Sequence, residues 1–445
     1  MGADDVTKPR KQIHLGAHFP GVNNTTVWSD PDSGSQIEFE SFVHLARTAE
    51  RGMFDFFFLA EGLRLREHRG RIHDLDVVGR PDTFTVLAAL AAVTEHLGLA
   101  GTVNTTFNEP FEVARQFATL DHLSDGRAAW NMVTSSDAFT GANFRRGGYL
   151  DHADRYRRAE EFLTVARLFW DSWSADAVLA DRGTGRYVEP DRIRVVEHHG
   201  PQFDVRGVAT LPPMPQREPV LFQAGDSDEG RTFGARHADA LFTLHSELQA
   251  GRAYYADVKA RAAGFGRNPD HLKVFPAASF VLGDTAAEAA DKARHVRLQQ
   301  VSGPTAIAML EQVWQRDLSD VDPDGPLPEV EPADDPTVTQ GRVRHGDPRA
   351  IAAAWRERAE AGNLSIRELV IAVTSRQQFV GTAAQVADEI DLHVQSDACD
   401  GFILVPHLTP RGLDEFVDQV VPLLQERGSF RTGYSGATLR DRLGL

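Results

Sequence analysis

Eight short apolar segments alternate with helical patterns along this chain, and the alternation predicts an α/β fold, a (β/α)8 TIM barrel. Two observations support it. The segment over residues 53–59 is almost continuously apolar, as in parallel strands that are buried on both faces. Two other segments end in small polar residues, as strands do at the mouth of such a barrel. We expect one domain over residues 1–445, with insertions at about 174–218 and 284–378.

Residues 99–136 show the pattern most clearly, as strand, turn, helix and strand. Pro110 stands where a helix can begin, because its missing N–H needs no partner there. Apolar residues then recur at helical spacing and predict one buried face. The two strands end in Asn104-Thr105-Thr106 and Thr134-Ser135-Ser136. These small polar groups are therefore expected at the same edge of the barrel.

The remaining elements follow in order. Further strands are predicted at about 13–19, 53–59, 219–224, 238–243, 272–282 and 401–405. Helices are predicted at about 39–51, 82–94, 154–173, 229–236, 247–263 and 413–425, with helical pieces at 285–300, 304–315 and 348–360 inside the second insertion. The acidic, proline-rich stretch VDPDGPLPEVEPADDP predicts a loop there.

The composition excludes several classes of function. A net charge of −17 disfavours a general nucleic-acid or anionic-membrane partner, since both require a basic surface. The single cysteine, Cys399, excludes an intramolecular disulfide and a cysteine-based zinc site, and its apolar surroundings indicate a packing role. No signal-peptide pattern and no run of about 18 apolar residues occurs. We expect a soluble, cytoplasmic protein.

Several polar residues stand where a ligand could bind. Asp55, within DFFFLAE, is predicted inside a buried strand, where a carboxylate needs a partner or a function. Asn104 and Thr105 are candidate hydrogen-bonding groups at a strand end, although they could simply terminate the strand. In QAGDSDEGRTFG, Ser227 begins a helix whose free N–H groups suit a phosphate, although it could be a cap only.

His152 and Tyr156 are four residues apart and therefore lie on one face of a helix start. This pair belongs to HADRYRRAEEF, which has the spacing H-x-x-x-Y-x-R-A-x-E-F. Together with NTTFNEP, LDHLSDGR and AWNMVTS, the pattern resembles the bacterial luciferase-like flavin monooxygenases. The resemblance extends from about Ile13 to Gly428. It is densest over residues 13–245, and it is strongest to the subgroup of nitrilotriacetate, EDTA, dibenzothiophene sulfone and long-chain alkane monooxygenases.

The resemblance implies a two-component monooxygenase. It would take reduced FMN from a separate NAD(P)H-dependent flavin reductase and use O2 to oxidise a small organic substrate. The family frequently forms dimers or tetramers, so a homo-oligomer is expected. The positions implied to hold FMN are Asp55, Asn104, Thr105, His152, Tyr156 and Ser227. His18 and Asn131 are expected to face the substrate or the flavin from strand ends, Asn131 on condition that Trp130 faces outward.

Other functions stay open at this point. A deazaflavin-dependent oxidoreductase, a flavin-fragmenting lyase and a non-catalytic flavin-binding protein would use the same barrel. No metal is expected, because the histidines lack the spacing of a metal site. The polar segment 61–80 and the insertion 284–378 are expected to cover the mouth as gates. Six arginines could form a basic substrate pocket or a solvated face: Arg64, Arg66, Arg69, Arg71, Arg145 and Arg146.

Overall fold

A closed barrel of eight parallel strands forms the centre of the molecule. The computed structural model describes residues 10–23, 25–72, 80–135, 138–144, 152–333, 339–340, 347–374 and 377–445. The strands are β1 (His14–Phe19), β2 (Phe56–Leu59), β3 (Gly98–Asn104), β4 (Ala128–Val133), β5 (Val220–Gln223), β6 (Ala240–Thr243), β7 (Lys273–Leu282) and β8 (Gly401–Leu404). Each pairs with its neighbours in sequence, and β8 pairs with β1 from His14 opposite Gly401. The predicted (β/α)8 barrel is confirmed.

Helices surround the barrel. In the described part of the chain they are α1 (Phe39–Arg51), α2 (Thr83–Ala91), α3 (Pro110–Leu123), α4 (Ala138–Gly141), α5 (His152–Trp170), α6 (Asp228–His237), α7 (Leu248–Gly264), α8 (Ala286–Gln300), α9 (Gly303–Trp314), α10 (Pro348–Gly362), α11 (Ile366–Thr374), α12 (Ala383–Gln395), α13 (Asp414–Glu426) and α14 (Leu439–Leu443). Pro110 is the first residue of α3, as its sequence position predicts. None of the described helices is long and apolar enough to cross a membrane.

Alternate residues of each strand face the barrel interior and the helices. Inside, Phe56 packs edge-on against Phe222 and Phe275, with ring centroids 4.9 and 5.3 Å apart. The neighbouring β1 carries Gly16, where an added Cβ would lie 2.3 Å from the Phe56 ring. Outside, Trp130 is fully buried among aromatic side chains of α3 and α5. Because successive side chains of a strand point to opposite faces, the outward-facing Trp130 leaves its neighbour Asn131 facing the barrel interior.

The chain's C-terminal segment closes the amino end of the barrel. Leu439 and Leu443 of α14 are buried in the cluster that fills the barrel interior. An added Cβ at Gly98, the first residue of β3, would lie 2.8 Å from the Leu439 side chain. This contact was not predicted from the sequence, since the segment is short and mostly polar. The other end of the barrel, at the carboxyl ends of the strands, is left for a ligand.

The first insertion contains two antiparallel hairpins outside the barrel. They pair Val178–Asp181 with Arg186–Val188, and Val196–His199 with Asp204–Gly207. The second insertion holds α9, α10 and α11 around the fully buried Trp314. Beyond it, strand Gln377–Gly381 pairs with the outer half of β7, and α12 returns the chain to β8. The sequence-based boundary at 378 therefore cuts a strand, and α11 and α12 were not predicted.

The segment after β2 is joined to the second insertion. Its hairpin, Glu67–His68 with Arg71–Ile72, pairs with Thr339–Gln340. The His68 ring is hydrogen-bonded to the buried Glu311 carboxylate of α9. The two segments that were expected to cover the mouth thus contact each other. Residues 73–79 of the first segment lie outside the described residues.

Candidate functional site

The mouth of the barrel has an aromatic floor. Phe58 stacks on Phe242 with ring centroids 5.7 Å apart, and Phe222 lies 6.1 Å from Phe58. Above this floor the strands end in polar groups, including Asn104 of β3 and the turn that follows β5. Active sites of this fold lie at this end of the barrel. The apolar floor excludes water from below, which strengthens any polar contact made above it.

The turn between β5 and α6 offers an anion-binding site. Ser227 is the N-cap of α6, and its hydroxyl accepts a hydrogen bond from the Gly230 N–H at 3.1 Å. The Tyr156 hydroxyl from α5 lies against this turn: an added Cβ would approach it to 2.5 Å at Gly225 and to 2.7 Å at Gly230. Only glycine at these two positions permits the close approach of the Tyr156 hydroxyl. The predicted neighbours Tyr156 and Ser227 are thus brought together at a helix N-terminus, which favours a phosphate.

The acidic residues of the same turn point away from this space. Asp226 and Asp228 have side chains that are 60% and 78% exposed. Asp226 pairs with Arg231 at 2.9 Å, and Asp228 pairs with Arg261 at 2.8 Å. Both carboxylates therefore face solvent. Paired in this way, they oppose an anion at the helix N-terminus less than free carboxylates would.

His152 is the first residue of α5, one turn before Tyr156. The position agrees with the predicted helix start. Its side chain lies outside the described part of the structure, so its contact with a phosphate stays a prediction. Arg145 and Arg146 of the proposed basic pocket also lie outside the described residues.

Asn104 is the last residue of β3 and Thr105 follows it at the mouth, and both are fully buried. The Asn104 amide donates to the Glu61 carboxylate at 3.0 and 3.2 Å, and its oxygen accepts from the Phe107 N–H. Thr105 lies beside β4, where its N–H donates to the Val133 carbonyl. Both residues occupy the predicted edge, and their contact with FMN stays a prediction.

Glu61 is the residue of this edge that sequence reasoning missed. It follows β2 by two residues, and the structure places it against Asn104. Burial raises the pKa of Glu61 from 4.5 to about 7, against the lowering effect of the Asn104 hydrogen bonds. A buried carboxyl that titrates near neutral pH at a barrel mouth is typical of a functional site. The sequence feature that could have identified Glu61 is its position as the second acid of DFFFLAE, directly after the apolar run.

We expect Glu61→Gln to remove a pH dependence of stability. Between pH 4.5 and about 7 the folded protein holds a proton that the unfolded chain has released, so wild-type stability falls as the pH rises through this window. As the pH rises from 4.5 to 8, the free energy of unfolding of the variant should increase by about 3 kcal/mol relative to that of the wild type. Urea unfolding at several pH values measures this. The control, Glu426→Gln on an exposed helix end, should leave the pH slope unchanged; equal slopes for Glu61→Gln and the wild type would contradict the assignment.

His18 and Asn131 both reach the barrel interior. The His18 Nδ1 lies 3.1 Å from the Phe58 carbonyl, and burial, with a contribution from Arg80, lowers the His18 pKa to about 3. His18 is therefore neutral at physiological pH. Asn131 is buried and donates to the Thr102 hydroxyl at 2.9 Å. The Asn131 Oδ1 has no partner among the described residues, so it is available to a ligand.

Asp55 does not lie at the mouth, and this corrects the expectation that it contacts the flavin. It precedes β2 at the amino end of the barrel and is fully buried. Its carboxylate accepts hydrogen bonds from the Leu15 N–H, the His14 ring and Arg431. Burial opposes ionisation of Asp55, but Arg431 and His14 outweigh it and lower the pKa from 3.8 to about 2. Asp55 is a structural ion-pair partner.

Two further sequence-based expectations concern other reactive groups. Cys399 is fully buried before β8, and burial raises its pKa well above the usual value, so it is a packing residue as expected. Among the described residues, no three side chains of the types His, Cys, Asp and Glu are close enough together to hold a metal ion.

Comparison with known proteins identifies the family. The model for luciferase-like monooxygenases matches residues 21–400. The chain belongs to this family. It is 40% identical over 448 residues to N-acetyl-S-(2-succino)cysteine monooxygenase of Bacillus subtilis (strain 168), covering 99% of this chain and 98% of the relative. It is also 40% identical over 455 residues to nitrilotriacetate monooxygenase component A of Aminobacter aminovorans, covering 98% and 97%.

A solved structure of a riboflavin lyase, with modified FMN and its substrate riboflavin, is also similar. It is 30% identical, has a TM-score of 0.79, and covers 98% of this chain and 96% of its own. The expected resemblance to luciferase-like monooxygenases is therefore confirmed, and so is the expectation of a flavin-dependent monooxygenase at the level of the family. The turn at Ser227 and the edge at Asn104 are this member's candidate site.

Proposed function

We propose that this luciferase-like protein is the oxygenase component of a two-component system. It takes reduced FMN from a separate NAD(P)H-dependent flavin reductase and uses O2 to oxidise a small organic substrate. The observation that carries the proposal is the turn at Ser227, where Gly225 and Gly230 allow the Tyr156 hydroxyl to pack closely against a helix N-terminus. The nitrilotriacetate relative is named component A, which supports a system with a second protein component.

The residues at this end of the barrel fit an FMN molecule. Ser227, Tyr156 and His152 would hold its phosphate and ribityl chain, since the α6 N-terminus favours a dianion. Asn104 and Thr105 would meet the ring from the end of β3, and Glu61 would stand behind Asn104. When bound, reduced FMN supplies the activation of O2, which no side chain of this site can provide.

The protein's own contribution is orientation and the exclusion of water. The floor of Phe58, Phe222 and Phe242 is apolar and keeps the lower side of the site dry. Neutral His18 offers a hydrogen-bonding ring without bringing a charge. The unpartnered Asn131 oxygen can accept a hydrogen bond from a ligand N–H or O–H. We propose that segments 61–80 and 284–378 cover the mouth during turnover.

The proposal predicts that two hydroxyl groups bind reduced FMN. Ser227→Ala and Tyr156→Phe each remove one hydrogen bond to a charged phosphate, so each should weaken binding roughly tenfold or more. Anaerobic titration of the apo-protein with reduced FMN measures the dissociation constant. Thr382→Ala is the control for Ser227→Ala because Thr382 caps α12 in the same way. Tyr187→Phe, on an exposed hairpin, is the control for Tyr156→Phe.

Turnover then decides the class of reaction. With a flavin reductase, NADH and O2, an oxygenase converts an organic substrate and leaves the flavin intact. Retained binding of reduced FMN in both variants would contradict the phosphate assignment. Failure of the wild type to bind reduced FMN would contradict the whole proposal, and a deazaflavin cofactor or a non-catalytic role would be tested next.

A flavin-fragmenting lyase is the second candidate, favoured by the similarity to the riboflavin lyase structure. In that case the flavin itself is consumed. Measurement of the total flavin by chromatography before and after turnover separates the two reactions. Loss of flavin without oxidation of an added substrate would establish the lyase.

A further inference from the structure

A cavity opens at the mouth, away from the phosphate turn, which is the proposed phosphate-binding turn between β5 and α6. Its volume is about 680 Å³, within the range of small-molecule sites. Its walls are the loop after β1, the hairpin after β2 and the junction of α8 and α9 beyond β7. Tyr156 and Ser227, in contrast, follow β4 and β5, on the other side of the barrel. A flavin held at the phosphate turn therefore leaves this cavity open to a second ligand.

The lining of this cavity is more basic than the chain as a whole. It includes His68, Arg69 and Arg71, and Glu311 is the acid among its described lining residues. Glu311 is already engaged, because its carboxylate contacts the His68 ring, the Leu318 N–H and Arg69. In a protein with a net charge of −17, a cavity with surplus positive charge is unusual. It attracts anions that the rest of the surface repels.

Arg71 carries this surplus. Arg69 pairs with Asp317 in addition to Glu311, so its charge is balanced. Arg71 has no carboxylate partner among the described residues and is exposed towards the cavity that it lines. The N-terminus of α9, capped by Ser302, also borders the cavity and adds a favourable field for an anion.

The cavity also has an apolar part. Trp28 and Ile72 line it with 57% of each residue exposed, which is unusual for side chains of this size. Exposed apolar groups beside an unpaired arginine fit a ligand with a carbon body and an anionic group. A carboxylate matches the planar guanidinium group with two parallel hydrogen bonds.

We propose that this cavity binds the organic substrate and that the substrate carries a carboxylate, which pairs with Arg71. The proposal rests on the proposed function in one respect: that the ligand is the substrate of the oxygenase. Binding of the ligand itself requires no flavin. Of the two interpretations of the arginine-rich segment, a basic pocket and a solvated face, it selects the pocket for Arg71. Arg69 instead joins the hairpin to the second insertion.

The test measures binding to the apo-protein by calorimetry. The probes are succinate and 3-phenylpropionate, each compared with its amide, together with inorganic phosphate. We expect a carboxylate to bind more tightly than its amide, with affinity that falls as salt is added. Arg71→Gln should weaken carboxylate binding about fivefold, which corresponds to about 1 kcal/mol for a partly exposed pair. Arg182→Gln, an exposed arginine in the first insertion, should leave it unchanged.

Each other outcome is decisive. Equal binding of acid and amide, no binding of either carboxylate, or an unchanged affinity in Arg71→Gln would overturn the proposal. Tighter binding of inorganic phosphate than of both carboxylates would identify a phosphate site instead. Reduced FMN titration of the same variant separates this from the proposed function: Arg71→Gln should bind reduced FMN as the wild type does, because Arg71 lies away from the phosphate turn.

Discussion

Gly225→Ala should weaken the binding of reduced FMN by about 10- to 100-fold. The added Cβ would lie 2.4 Å from the Gln223 Nε2, 2.5 Å from the Tyr156 hydroxyl and 2.9 Å from the Gly230 Cα. One of these groups must move, and overpacking of this kind costs about 1–3 kcal/mol. Since the same turn presents Ser227, the displacement disturbs the groups proposed to hold the phosphate. Anaerobic titration with reduced FMN measures the effect.

The matched control is Gly264→Ala at the end of α7, where an added Cβ meets no atom within 4 Å. It should bind reduced FMN as the wild type does. Thermal unfolding of both variants shows whether the substitution displaces only the turn or destabilises the whole protein. The titrations are made well below the lower of the two melting temperatures, so that both variants are folded. If Gly225→Ala bound reduced FMN normally while remaining folded, the phosphate would have to lie elsewhere.

Asp55→Asn should destabilise the protein by about 3–5 kcal/mol without changing its affinity for reduced FMN. The substitution leaves the Arg431 guanidinium and the His14 ring buried without their carboxylate, and breaking a buried pair carries a cost of this size. The affinity stays the same because Asp55 lies at the amino end of the barrel, opposite the mouth. Urea unfolding and flavin titration measure the two effects separately.

The effect of Asp55→Asn should also depend on pH. Asp55 has a folded-state pKa of about 2 against an ordinary 3.8, so its stabilisation is present above pH 3.8 and is lost as the pH falls towards 2. The control is Asp418→Asn, whose exposed pair with Arg51 contributes little. A weaker affinity for FMN with unchanged stability would restore the flavin contact first expected for Asp55.

The two acids of DFFFLAE show where sequence reasoning ended. Asp55 and Glu61 are six residues apart, roughly 20 Å along an extended chain. The predicted strand, 53–59, enclosed Asp55, whereas β2 spans only Phe56–Leu59. The shorter strand leaves one acid at each end of the barrel. The partner that makes Asp55 structural, Arg431, is 376 residues away in sequence. No local pattern contains that contact.

The C-terminal part of the chain shows the same division. The acidic, proline-rich stretch was assigned to a loop, and the helices on either side of it were predicted closely. Strand Gln377–Gly381 and helix α12 were not predicted: the expected insertion ended at 378, inside the strand, and no element was assigned between it and the strand at 401–405. The closure of the amino end of the barrel by Leu439 is likewise a contact between distant segments.

The sequence by itself determined the barrel, most of its strands and helices, the family, the helix N-cap at Ser227 and the helix that carries Tyr156. These follow from periodicity, caps and short motifs, which act over a few neighbouring residues. Only the tertiary structure decided which acid stands at the mouth, that Glu61 titrates near neutral pH, and that Arg71 lines a cavity. Burial and charge pairing depend on residues brought together from distant parts of the chain.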